Sequence, residues 1–139
     1  VIIREATAAD AERMVALIGE LEFNVDTDGI TERLQSLAEC GEPVLLSETD
    51  GEVVGLIDWH VMTTIHRPRP VGRIVALIVA KGHRGQAIGQ ALVVEAEQRM
   101  RERGCEKMEV TSNLRLERAH QFYERIGFER SSYRFAKDL

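Results

Sequence analysis

The chain has 139 residues, 44% of them hydrophobic and 29% charged, with 18 basic against 23 acidic side chains and a formal charge of −5. That length suits a single domain over residues 1–139, able to bury enough surface to fold without a disulfide or metal staple. The acidic balance argues against nonspecific nucleic-acid binding, and no apolar run reaches transmembrane length, so neither a nucleic-acid nor a membrane partner is expected. Cys40 and Cys105 lie far apart with no CxxC spacing. They read as small core residues in a reducing, cytoplasmic setting.

In chain order, residues 1–4 form a short strand. Thr7 or Asp10 caps a helix in which Met14, Ala16, Leu17, Ile18 and Leu21 supply an apolar stripe. After a polar break at residues 24–29, a second helical pattern runs through Ile30, Leu34, Leu37 and Ala38, closed by Gly41 and Pro43. Residues 44–48 and 52–62 are strands flanking Thr49-Asp50-Gly51, whose Asp-Gly pair signals a hairpin. Residues 63–72 read as a loop. Residues 73–80 form an apolar run without alternation, which suits a central strand covered on both faces. A turn at residues 82–85 leads to a helix over 88–103, ended by Gly104. Residues 108–112 are a strand, 116–126 a helix stopped by Gly127, and 131–136 a final strand in a terminal hairpin. The order β-α-α-β-β-β-α-β-α-β defines a mixed α/β (α+β) domain.

The strand-to-helix junction after Leu77-Ile78-Val79 carries the first chemical signal. Gly85, Ala87 and Gly89 leave the backbone uncovered where a helix begins, and Arg84 adds a positive charge beside them. Exposed N–H groups at a helix N-terminus attract phosphate. The segment lacks the Gly-Lys-Ser/Thr of a Walker loop and the GxGxxG spacing of a dinucleotide fingerprint. On its own it reads first as a tight turn whose glycines serve geometry, since such turns are common.

The run Arg84-Gly85-Gln86-Ala87-Ile88-Gly89-Gln90-Ala91-Leu92 resembles the acetyl-CoA motif of the GCN5-related N-acetyltransferase (GNAT) family, Arg/Gln-x-x-Gly-x-Gly/Ala. Some thirty residues later, Ala119-His120-Gln121-Phe122-Tyr123-Glu124-Arg125-Ile126-Gly127-Phe128 resembles the family's Ala-x-x-x-Tyr helix ending in Gly-Phe. The element order fits the family's fold over essentially the whole chain. From Asp50 to the C-terminus, the sequence is most similar to aminoalkylphosphonate N-acetyltransferases within the family.

The resemblance implies an N-acetyltransferase that moves an acetyl group from acetyl-CoA directly to a primary amine of a small molecule, including an anionic one such as an aminoalkylphosphonate. It assigns cofactor contacts to residues Arg84 to Gln90 and to the backbone of Leu77, Ile78 and Val79. It also makes Tyr123 the acid that meets the CoA sulfur. Asn113 is a further candidate for the pantetheine arm, or else caps its own turn. Two departures stand out. Ala87 occupies a position where the family usually has Gly, tolerable if its φ is negative. The central strand also lacks the Glu that serves many members as base.

Three residues compete for that role. Asp58 and His60, two apart on one strand, face the same side, where they form either a base pair near the acceptor or a structural hydrogen-bond network. Glu109 is the third, with simple exposure as its alternative. His66 and Arg67, among clustered cations with Arg69 and Arg73, are candidates to hold an anionic group on the substrate. The four histidines lack metal-ligand spacing, so no metal site is expected. A catalytically silent acetyl-CoA sensor and a protein-lysine or N-terminal acetyltransferase remain open as alternatives. Exposed strand edges make a homodimer the expected assembly.

Overall fold

A computed structural model describes residues 1–139. A five-stranded mixed sheet in the order β1-β2-β3-β4-β5 contains β1 (Ile2–Glu5), β2 (Leu45–Thr49), β3 (Glu52–Met62), β4 (Val71–Val79) and β5 (Lys107–Val110). The first four strands run antiparallel, and β5 lies parallel to β4. Such a parallel pair needs a crossover, supplied here by helix α3 (Ile88–Glu102). The other helices are α1 (Ala11–Gly19), α2 (Thr27–Glu39) and α4 (Glu117–Arg125).

Helices cover both faces. Met14 and Leu17 of α1 and Ile30 and Leu34 of α2 pack with Leu46, Leu56 and Ile78 on one side. Leu92, Val93, Ala96 and Met100 of α3 pack with Leu45, Ile57, Trp59 and Ile74 on the other, joined by Phe122 from α4 and by Ile126 just past its end. The unbroken apolar run of β4 therefore serves two cores at once, as its lack of alternation requires. Asp10 anchors the entry to α1. Its carboxylate takes both prongs of the Arg4 guanidinium (2.8 and 2.9 Å) and the Thr7 N–H (2.8 Å).

Three expectations change. Helix α2 begins at Thr27, inside the supposed polar break, because the Asp26 side chain accepts the Gly29 N–H at 2.6 Å and caps the helix early. The final strand is absent: Ser131–Ala136 pairs with no strand, and Tyr133 and Phe135 stand exposed. A hairpin needs two strands, and only the short turn after Arg125 separates α4 from this segment. Cys105 is buried as expected, but Cys40, at the C-terminal end of α2, is exposed. No helix is long and apolar enough to cross a membrane.

Candidate active site

The sheet opens between β4 and β5. Pairing joins them only from Val71 to Ile74, opposite Lys107 to Val110. At the same point β4 carries an extra residue against β3. Asp58 faces Ala76 and Trp59 faces Ile74, which leaves Val75 unmatched and half exposed. Such a bulge bends its strand and ends regular pairing, so it turns the last part of β4 away from β5. Ala80 donates its N–H to Val54 O at 2.8 Å. Strand alternation then directs the Leu77 and Val79 backbone toward the opening, while that of Ile78 faces β3. Of the three strand positions expected to meet the cofactor, Leu77 and Val79 thus keep free N–H groups.

The turn after β4 ends in an anion cradle. Helix α3 makes its first backbone bond from Ala91 N–H to Ala87 O (3.1 Å). The N–H groups of Ile88, Gly89 and Gln90 therefore lie at its open N-terminus. Gly85 has φ +81°, and nothing lies within 4 Å of where a Cβ would be, so the approach is uncovered. Gly85, Gln86 and Ala87 are all exposed, whereas the Arg84 side chain reaches back to Val79 O at 3.1 Å. These features fit a diphosphate. Ala87 departs from expectation: its φ is +61°, in the left-handed region where glycine is favoured. Gly89 is buried against α4, since a Cβ there would meet the Phe122 ring at 3.4 Å.

Tyr123 sits on α4 between two edge-on rings, Phe122 at 5.2 Å and Phe128 at 5.6 Å. Burial pushes its phenol above the ordinary value, so the hydroxyl stays protonated at neutral pH and can donate. The Asn113 carboxamide oxygen accepts the Arg115 N–H at 3.1 Å within its own turn.

On the α1/α2 face, beside this stretch of β4, lies an apolar cavity of about 200 Å³. Ala76 and Ile78 form part of its floor, and Arg33 and Asp58 are its only charged lining residues. One oxygen of Asp58 is buried without a hydrogen-bond partner. Burial, the largest influence, raises its pKa and outweighs the opposing effect of His60. Asp58 and His60 share a face as expected, with Oδ1 3.7 Å from Nε2. The other imidazole nitrogen meets Glu42, whose Oε2 lies 2.8 Å from His60 Nδ1 and whose Oε1 accepts the Val61 N–H at 2.9 Å.

Glu109 is held elsewhere, accepting from Arg73 at 2.7 and 3.0 Å. His66 and Arg67 are exposed on the β3–β4 connection and do not line the cavity; its guanidinium belongs to Arg33. Glu42 and Arg33 escaped the sequence reading. Glu42 lies in a loop with no motif around it. Arg33 belongs to no motif either.

The sequence pattern of the acetyltransferase (GNAT) family matches residues 11–128. The aminoalkylphosphonate N-acetyltransferase of Salmonella typhimurium is 34% identical, over 99% of this chain and 90% of its own length. The glucosamine 6-phosphate N-acetyltransferase of Trypanosoma brucei brucei is 29% identical over 69% of this chain and 64% of its own. Among solved structures, the glucosamine-6-phosphate N-acetyltransferase of Arabidopsis thaliana superposes with a TM-score of 0.85 at 20% identity, covering 99% of this chain and 97% of that one. This chain belongs to the GNAT family of acetyltransferases, whose acyl donor is acetyl-CoA.

Proposed function

We propose that this protein transfers the acetyl group of acetyl-CoA to the primary amine of a small molecule that also carries an anionic group, of the aminoalkylphosphonate type. The single observation that carries the reading is the apolar cavity beside the open part of β4, with Asp58 and Arg33 as its two charges. A carboxylate suits an incoming ammonium, a guanidinium suits a phosphonate, and the apolar wall suits the alkyl link between them. Support also comes from two relatives named for amines that bear a phosphorus-containing anion.

In this reading the backbone N–H groups of Ile88, Gly89 and Gln90 hold the diphosphate of CoA, with Arg84, Gly85, Gln86 and Ala87 forming the approach. The Leu77 and Val79 backbone pairs with the pantetheine arm and polarises the acetyl carbonyl. Asn113 flanks the same arm. The thioester supplies an already activated acyl group. Asp58 with His60 takes the proton the amine must lose, and Tyr123 supplies one to the departing sulfur. Glu109 serves to hold Arg73. The free edges of β1 and β5 suit a homodimer, and light scattering should then read about twice the 15.6 kDa chain mass.

Thiol release from acetyl-CoA tests the acceptor. 2-Aminoethylphosphonate should be turned over with a kcat/KM about tenfold or more above that for propylamine, the worth of one charge-assisted hydrogen bond. Arg33→Gln should erase that preference. Equal rates with both amines would remove the anionic requirement, and release only with a lysine peptide would replace the small molecule with a protein.

A further inference from the structure

Glu42 makes His60 a one-way proton acceptor. Both of its carboxylate oxygens are engaged, one by the Val61 N–H at 2.9 Å and one by His60 Nδ1 at 2.8 Å. Burial opposes its charge, yet the Val61 N–H and the His60 contact outweigh that and hold Glu42 below the ordinary carboxylate range. An ionised carboxylate can only accept, so Nδ1 must carry a hydrogen. In the neutral imidazole this leaves the lone pair on Nε2, the nitrogen turned toward Asp58 Oδ1. The Asp58 oxygen has no hydrogen-bond partner, and Asp58 lines the cavity proposed for the acceptor.

We infer that Glu42 is a positioning residue, which fixes the His60 tautomer so that Asp58, His60 and Glu42 form a relay carrying the acceptor's proton from the cavity to solvent. This rests on the reading of Asp58 and His60 as the base. The step balances as follows. The ammonium passes one proton to Asp58, and its freed electron pair attacks the acetyl carbonyl carbon. The C–N bond forms and the C–S bond breaks, leaving the electron pair on sulfur. The nitrogen's second proton passes to the sulfur by way of Tyr123, whose phenol donates to the thiolate and takes that proton in return, so it ends as it began. The first proton moves from Asp58 to His60 Nε2, where Glu42 balances the imidazolium charge, and is then lost from Nε2 to water at the partly exposed side chain, which restores the Nδ1–H tautomer.

Without Glu42 the ring is free to turn its N–H toward Asp58. That hydrogen bond would stabilise the Asp58 carboxylate, weaken it as a base and leave the relay nowhere to send its proton. Other charges also face the row: Arg73 with Glu109 across the β3–β4 pair, Arg103 near Glu42, and Arg33 from α2.

The test combines kinetics with spectroscopy. Glu42→Gln keeps an oxygen for the Val61 N–H but offers an amide N–H to Nδ1, which demands the opposite tautomer. The amine kcat/KM should fall about 10- to 100-fold, in line with removal of other partners that orient a histidine. The KM for acetyl-CoA should be unchanged, and the acidic limb of the pH profile should move to lower pH. On the wild-type protein, ¹⁵N NMR of His60 should show hydrogen on Nδ1 and none on Nε2 in the neutral ring. A wild-type pH profile in Glu42→Gln, or hydrogen on Nε2 in the native protein, would overturn the inference. The spectrum decides even if the variant does not fold. If Asp58→Asn and His60→Gln both keep full turnover, the base assignment itself fails. If they lose turnover and Glu42→Gln does not, the role of Glu42 alone is wrong.

Discussion

Asp58 keeps a carboxylate where solvation is poor, at a cost to stability. Burial raises its pKa, so its charge is disfavoured in the folded state relative to the unfolded one. The sign follows from that: the group weakens the fold as pH rises above the unfolded value of 3.8 and ceases to do so in acid. Asp58→Asn removes the buried charge but not the polar atom, and should therefore raise stability at neutral pH by about 1 kcal/mol, the extra cost of leaving a charged rather than a neutral group poorly solvated. The same change should lower amine turnover, and denaturant melts beside thiol-release assays would read both. Tyr123→Phe keeps the packing against Phe122 and Phe128 but loses the proton, so kcat should drop about 100-fold with cofactor binding intact. Ala87 is strained at φ +61°. Ala87→Gly should relieve roughly 0.5–1 kcal/mol net of the entropy glycine adds to the unfolded chain. It should also tighten acetyl-CoA binding in calorimetry, and a weaker affinity would show that the methyl contributes contact there.

At the scale of elements, α2 would link stability to acceptor choice if the cavity it lines takes the acceptor as proposed. Asp26 caps it through the Gly29 N–H, and Arg33 and Leu34 on the same helix line the cavity. Asp26→Ala should cost about 1 kcal/mol and raise the KM for the amine more than that for acetyl-CoA, which steady-state kinetics can separate. The elements most legible in the sequence were those with strong local signals. The β2–β3 hairpin followed from Asp50-Gly51, and the start of α3 at Ile88 from the glycine-rich turn before it. The early start of α2 was missed because Thr27, Asp28 and Gly29 look like loop until the Asp26 cap is counted. Ser131–Ala136 has strand-like residues but no partner, and pairing is a property of two segments that no single-segment pattern contains. The site divided in the same way. Gly85 and Tyr123 belong to motifs, so sequence proposes them without the fold. Only folding brings Glu42 to His60 and puts Arg33 in one cavity lining with Asp58.

For the whole molecule, acid stability should depend on one corner of the sheet. Asp10 is held below its ordinary pKa chiefly by its hydrogen bonds to Arg4, against the opposing effect of burial and with help from Thr7. A depressed carboxylate contributes stability that is full above its unfolded value of 3.8 and lost as pH falls through the lower folded value. Asp10→Asn should cost about 2 kcal/mol at neutral pH, as expected when a charged hydrogen-bond acceptor is removed. The difference from wild type should shrink below pH 3.8, and melting temperature followed against pH would show the convergence.

The unmatched Val75 also separates two histories within one strand. On the proposed reading the acyl donor is offered main-chain N–H groups, which every residue but proline possesses, so substitutions at Leu77 or Val79 would follow the needs of the core without erasing donor recognition. In the proposed function the acceptor meets side chains instead, from Arg33, Asp58 and their apolar neighbours. An ancestor with this bent strand could hand its donor unchanged to descendants that exchange one amine for another, each a few cavity substitutions apart.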